Sequence, residues 1–185
     1  MKSEKNIVVI IPAYNEAKAL PELLAELKHV MPSVPVVVIS DGSKDATADV
    51  ARENGAIVVD LPCNLGVGGA VQAGLQYACK YGYERIVRID GDGQHNPADI
   101  PALLSHMEEK KVDLVVGSRF LGEKVTGVGT HWRKLGNIAL AKFLSIICRN
   151  KVTDPTSGFW CVSSELAKYF ACYYPTDYPE PEALS

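Results

Sequence analysis

Short runs of β-branched and other apolar residues recur along the chain at Ile7–Ile11, Val36–Ile39, Ala56–Val59, Ile86–Ile89 and Leu114–Val116. They lack the polar alternation of a half-exposed strand, which predicts strands covered on both faces, as in a buried and mainly parallel sheet. Between the runs lie helical patterns over about 17–30, 44–54, 67–81 and 98–110. Strand and helix therefore alternate as in a doubly wound α/β domain.

Polar residues follow each strand. The first helix follows Asn15-Glu16, Ser43 or Asp45 can cap the second, and Asn96-Pro97 reads as cap and first helical position of the fourth. In an open α/β sheet ligands bind at the carboxyl edge of the strands. The clusters Tyr14-Asn15-Glu16, Asp41-Gly42-Ser43 and Asp90-Gly91-Asp92 should then share one crevice. After Arg119 the pattern changes to a glycine-containing loop over 122–129, a helix of about 132–149, and the turn-rich segment Thr153 to Phe159. This division predicts one domain over 1–185, with a first substrate met by the part over about 1–120 and a second by the part over about 121–185.

Composition narrows the partners. With 185 residues, 47% of them hydrophobic, the chain can bury one sizeable core. Its net charge of −3 is interspersed along the sequence, so no face for nucleic acid is expected. Cys63, Cys79, Cys148, Cys161 and Cys172 lack the paired spacing of a zinc site and read as reduced, mostly core thiols. The apolar stretch Ile7–Ile11 is strand-length rather than signal-like, and the run 138–148 is too short and too polar to span a membrane. A cytoplasmic location is expected, with peripheral contact at the inner membrane face if the apolar side of helix 132–149 meets lipid rather than the core.

Asp90-Gly91-Asp92 places two carboxylates two positions apart at a strand end, and Gln94 adds an amide oxygen. Such hard oxygen donors suit Mg²⁺ or Mn²⁺, which complete their shells with water and diphosphate oxygens. An Asp-Gly surface turn has the same composition, so the triplet alone does not decide between them.

The triplet has company. Ile10-Ile-Pro-Ala-Tyr-Asn-Glu16, Ser40-Asp-Gly-Ser-Lys-Asp-Ala-Thr47, Asp90-Gly-Asp-Gly-Gln-His-Asn-Pro97, Gly117-Ser-Arg-Phe120 and Asp154-Pro-Thr-Ser-Gly-Phe159 occur in order. Together they resemble the family 2 glycosyltransferases, most closely the branch of dolichol-phosphate mannosyltransferase and the bacterial polyprenyl-phosphate glycosyltransferases. The resemblance implies the three-layer GT-A fold, a Rossmann-like α/β arrangement. It further implies an inverting transfer from a nucleoside-diphosphate sugar to a lipid-phosphate or glycan acceptor, with Mg²⁺ or Mn²⁺.

By that resemblance Pro12, Tyr14, Glu16, Ile39 and Asp41 match positions that hold the nucleoside, and Asp90, Gly91 and Asp92 match those at the ribose, diphosphate and metal. Tyr14 offers a ring for stacking, and Asp41 and Glu16 can accept hydrogen bonds from base or ribose. Arg119 matches a position near the donor diphosphate or the acceptor phosphate, where a planar guanidinium suits anionic oxygens. Asp154 matches an acceptor-side position and is the candidate general base; an acceptor phosphate, already anionic, would leave it an orienting role. One departure is Ser40, where the family commonly has the first of two aspartates.

Three readings compete. His95 is left outside the site as a loop residue, and Gly66-Val-Gly-Gly69, which lacks both GxGxxG spacing and a following Lys-Ser/Thr, is read as small residues for close helix packing. A nucleotidyltransferase would need a Gly-rich, basic triphosphate loop near the N-terminus, where this chain has Pro12-Ala-Tyr-Asn-Glu16. The resemblance also implies a further strand and a basic residue after the segment like Asp177-Tyr-Pro-Glu180, so a C-terminally truncated nucleotide-sugar-binding domain without full catalytic competence is the other alternative.

Overall fold

The computed structural model describes residues 6–118, 154 and 157–173. The described chain runs β1 (Ile7–Ala13), α1 (Leu20–Val30), β2 (Val36–Ser40), α2 (Thr47–Glu53), β3 (Ile57–Asp60), α3 (Gly66–Lys80), β4 (Arg85–Arg88), α4 (Ile100–Lys110), β5 (Leu114–Val116), β6 (Trp160–Ser163) and α5 (Ser164–Tyr173). A short 3-10 turn at Pro97–Asp99 leads into α4, its first N–H groups met by Asn96, whose side chain accepts from Ala98 N at 2.9 Å.

The strands form one sheet in the order β3-β2-β1-β4-β6-β5. β1 to β4 are mutually parallel, while β6 runs antiparallel between β4 and β5. Alternation along β1 explains the layering. Val9, Ile11 and Ala13 enter a core shared with α1, α2 and α4, whereas Val8 and Ile10 enter a second core with α3 and α5. Both sets are buried, so β1 has no polar face, and each fully buried Ile or Val contributes roughly 1.5–3 kcal/mol relative to exposure. The result is the expected three-layer α/β arrangement with a mainly parallel sheet.

Several sequence expectations need correction. β3 and β5 lie at the sheet edges and expose Ile57, Leu114 and Val116, so coverage on both faces holds only for the inner strands. β6 was not anticipated, because Trp160-Cys-Val-Ser163 is short and follows a turn. Ser43 is not the cap of α2: Asp45 accepts from the Thr47 N–H at 3.0 Å, and Ser43 Oγ instead accepts from Asn15 N. Close packing in α3 falls on Gly69, where a Cβ would stand 2.5 Å from Leu65 Cβ, and on Gly74, where one would stand 2.9 Å from Ile39 and 3.2 Å from Ile10, while Gly66 faces nothing within 4 Å. Of the cysteines described, all free, only Cys161 is buried; Cys63 and Cys172 are exposed. Among the described residues no helix is long and apolar enough to cross a membrane. Arg119, Cys148 and the helix expected over 132–149 lie outside the described residues.

Candidate functional site at the carboxyl edge of the sheet

β1, β2 and β4 are adjacent and parallel, so the loops that follow them leave the same edge. Pro12 and Ala13 of β1 stand beside Ile39 and Ser40 of β2 in the register, and the Asp41 N–H continues the ladder onto Ala13 O at 2.9 Å. These loops surround an open pocket of about 300 Å³ lined by Pro12, Ala13, Tyr14, Glu16, Asp41, Asn64, Gly66, Val67, Ala70, Arg88, Asp90, Gly91 and Asp92. Seven of the sequence candidates, Pro12, Tyr14, Glu16, Asp41, Asp90, Gly91 and Asp92, line this one pocket.

The first two loops are tied together. Asn15 takes a left-handed backbone (φ 58), a conformation Asn tolerates better than most residues, and its Oδ1 accepts from Lys44 N at 2.8 Å. Glu16 N donates to Thr47 Oγ1 at 2.9 Å and Ala17 N to Asp45 Oδ2 at 3.3 Å, while the Thr47 hydroxyl also bonds Asp45. This mesh fixes the start of α1 against the start of α2. It leaves the Tyr14 ring at the pocket rim, 43% exposed.

Asp41 is buried, and its Oδ1 accepts from Leu65 N at 2.7 Å just ahead of α3. Burial pushes its carboxyl above the ordinary range, opposed by the N–H groups of Leu65 and Gly66. Gly42 permits this approach: its φ is +62, and a Cβ there would stand 2.5 Å from the backbone of Cys63 and of Asn64. The β3–α3 connection therefore folds over β2, bringing Asn64, Gly66, Val67 and Ala70 into the pocket wall.

Arg88 ends β4, only 7% exposed, and donates from Nε (3.1 Å) and Nη2 (2.8 Å) to Asp90 Oδ1. Asp90 Oδ2 lies over Gly158, where a Cβ would stand 1.7 Å from it, and His95 Nε2 is 3.8 Å away. The His95 ring stacks on Phe159 with centroids 5.4 Å apart. Asp92 is exposed, and its Oδ1 accepts from the Gln94 N–H at 3.0 Å. Arg88 and His95, neither of them a sequence candidate, thus flank Asp90. Arg88 had a readable signal: a basic residue two positions before Asp90 on a strand faces the same side.

Three candidates sit elsewhere. The Ile39 side chain is wholly buried in the core beneath α3, not in the pocket wall. The Gln94 side chain is exposed and outside the lining. Asp154 is 2% exposed, is also absent from the lining, and its carbonyl accepts from Ser157 N at 3.5 Å. Ser40, at the position of the missing aspartate, has an Oγ that is buried without a hydrogen-bond partner among the described residues.

Residues 8–170 match the model of the family described as glycosyl transferase family 2. An undecaprenyl-phosphate mannosyltransferase of Micrococcus luteus is 34% identical over 83% of this chain and 64% of its own length. A UDP-N-acetylglucosamine–dolichyl-phosphate N-acetylglucosaminyltransferase of Methanococcus voltae is 31% identical over 90% of this chain and 72% of its own. Among solved structures, glucosyl-3-phosphoglycerate synthase of Mycobacterium tuberculosis, crystallised with Mn²⁺, uridine diphosphate and glucosyl-3-phosphoglycerate, superposes with a TM-score of 0.67 at 26% identity. That match covers 87% of this chain and 57% of the other, so the chain spans little more than half of the solved neighbour.

Proposed function

The chain belongs to glycosyl transferase family 2, and from that premise we propose that it transfers a sugar, with inversion at the anomeric carbon, from a nucleoside-diphosphate sugar to a polyprenyl phosphate. The observation that carries this reading is the convergence of Glu16, Asp41, Asp90 and Asp92 in one pocket, from loops distant in sequence, at the carboxyl edge of a parallel sheet. The acceptor is inferred from the lipid-phosphate substrates named for two relatives.

The same convergence provides a test for a divalent cation. The pocket wall holds four carboxylates and one guanidinium, and that guanidinium is already paired with Asp90. A nucleoside diphosphate, itself anionic, would be repelled by such a lining unless a cation accompanied it. The oxygen-only chemistry of Asp92 and Asp90 fits Mg²⁺ or Mn²⁺, which are commonly held by one or two carboxylates plus substrate phosphates. When bound, the ion supplies neutralisation of the charge that develops on the leaving diphosphate.

The chain's own residues do the rest. Tyr14 offers its exposed ring to the base, and Asp41, held by the Leu65 N–H, accepts from base or ribose donors. Asp90 and Asp92 face the diphosphate side, with Gly91 buried between them. The acceptor side is assigned to residues beyond about 120, and Arg119, just before that boundary, to the donor diphosphate or the acceptor phosphate. An anionic phosphate oxygen needs no general base, so Asp154, buried as it is, orients rather than deprotonates the acceptor. A lipid acceptor places the work at the cytoplasmic face of a membrane, with peripheral contact.

The test is product analysis. The chain is incubated with Mn²⁺, polyprenyl phosphate and, in turn, UDP-, GDP- and dTDP-sugars. Release of nucleoside diphosphate together with a glycosylated lipid phosphate is the expected result. Pyrophosphate release would instead make the chain a nucleotidyltransferase, and donor binding without any product would make it a binding domain.

A further inference from the structure

Arg88 is the pocket's one cation among the described lining residues, and its placement is unusual. It pairs with Trp160 across the antiparallel β4–β6 ladder, and its guanidinium lies 5.9 Å from the centroid of that indole ring. Two of its N–H groups are spent on a single oxygen, Asp90 Oδ1, at 3.1 and 2.8 Å. The other oxygen lies over Gly158 with His95 Nε2 3.8 Å away, and the Asp90 side chain remains 29% exposed. Asp90 therefore lines the pocket with one carboxylate oxygen already engaged by Arg88.

We propose that Arg88 is a positioning residue that holds Asp90 in reserve: by engaging its carboxylate it lowers the site's affinity for a free divalent cation and makes cation binding depend on the donor's diphosphate. The inference rests on the reading of Asp90 and Asp92 as the cation's carboxylates. Its physical basis is twofold. A cation entering alone meets exposed Asp92, an Asp90 already bonded to Arg88, and a fixed positive charge that repels it. Among the described residues no three His, Cys, Asp or Glu side chains converge into a ready-made cage. A diphosphate changes that balance, because it brings its own oxygens and negative charge. Binding of cation and donor thus becomes mutually reinforcing, as linkage requires.

The spacing Arg88-Ile89-Asp90 encodes the arrangement, since residues two apart along an extended segment project to the same side. Trp160 fixes the guanidinium from the neighbouring strand, and the adjacent loop supplies Gly158, whose lack of a side chain leaves room for the carboxylate.

The experiment compares wild type with R88M, which keeps much of the length of the side chain and removes its charge and donors. Binding of Mn²⁺ alone is measured by calorimetry and electron paramagnetic resonance, then repeated with the nucleoside diphosphate that the donor panel selects. The expected result is that R88M binds Mn²⁺ alone at least about tenfold tighter than wild type, while the enhancement of Mn²⁺ affinity by the nucleoside diphosphate shrinks. A residue with only a structural role would not tighten metal binding. Unchanged or weaker binding of Mn²⁺ alone by folded R88M overturns the proposal. R88Q, which is neutral but polar, gives the same readout if R88M does not fold. D92A separates the two levels of the argument. If D92A binds Mn²⁺ and nucleoside diphosphate like wild type, the carboxylate reading itself fails; if D92A loses that binding while R88M and R88Q match wild type, only the role of Arg88 fails.

Discussion

Adding one methyl group at Gly158 tests how closely Asp90 must be held. A Cβ built on Gly158 would lie 1.7 Å from Asp90 Oδ2 and 2.4 Å from its Cγ, whereas real Cβ contacts essentially never fall below 3.0 Å. The carboxylate or the Gly158 backbone must therefore shift by more than 1 Å. Gly158 is not among the positive-φ glycines, so alanine there suffers no backbone penalty and the effect is steric. A misplacement of about 1 Å in a reacting constellation costs on the order of 10²-fold in rate. G158A is accordingly expected to lower metal-dependent kcat about 100-fold, with its melting temperature only a few degrees below wild type. The assay is nucleoside diphosphate release under saturating donor and Mn²⁺, with thermal unfolding measured in parallel. Unchanged kcat in folded G158A would refute the assignment of Asp90 to the reaction, whereas a loss that merely tracks unfolding would refute the steric reasoning.

Two further substitutions probe the opposite wall. Gly42 has φ +62 and would bring a Cβ to 2.5 Å from the Cys63 and Asn64 backbone, while Gly55, at φ +83, faces nothing within 4 Å. G42A should lose about 2–4 kcal/mol of stability and G55A only about 1–2 kcal/mol by chemical denaturation; equal losses would contradict the packing of the β3–α3 connection. The Asp41 carboxyl is raised by burial, so the native state holds its proton more tightly than the unfolded chain. Its contribution is then fully present below the ordinary carboxylate pKa of about 4 and is lost as pH rises through the raised value. The stability of D41N relative to wild type should therefore increase from about pH 4 to pH 7, and a pH-independent difference would contradict it.

The layered fold was legible because burial of the inner strands leaves unbroken β-branched runs, and Ile7–Ile11 and Val36–Ile39 have no polar positions to confuse with another period. β6 escaped notice because four residues after a turn carry too little periodicity, and its strand pairing comes from β4 and β5. The three acidic clusters were legible because each follows a strand of the same parallel set. What sequence could not supply was how another connection closes over them: Asn64, Val67 and Ala70 reach the pocket only because Gly42 lets the segment before α3 lie against β2. Ile39 shows the converse case. A position can border a site through its backbone while its side chain packs into the core on the other side of the strand. For Asp90 the sequence revealed the carboxylate but not its engagement, since Arg88, His95 and Gly158 close on it from β4, the following loop and the segment before β6.

The central claim, a nucleotide-sugar site that works through a divalent cation, is tested most directly by thermal unfolding of the chain with a panel of UDP-, GDP- and dTDP-sugars, each with Mn²⁺ and with a chelator. A donor at 100 times its dissociation constant adds about 2.7 kcal/mol, or a rise of roughly 5–10 °C for a chain of this length. The account predicts that rise for at least one donor with Mn²⁺, and its disappearance with chelator and in D92A. No rise with any donor, or the same rise with chelator and in D92A, would contradict it.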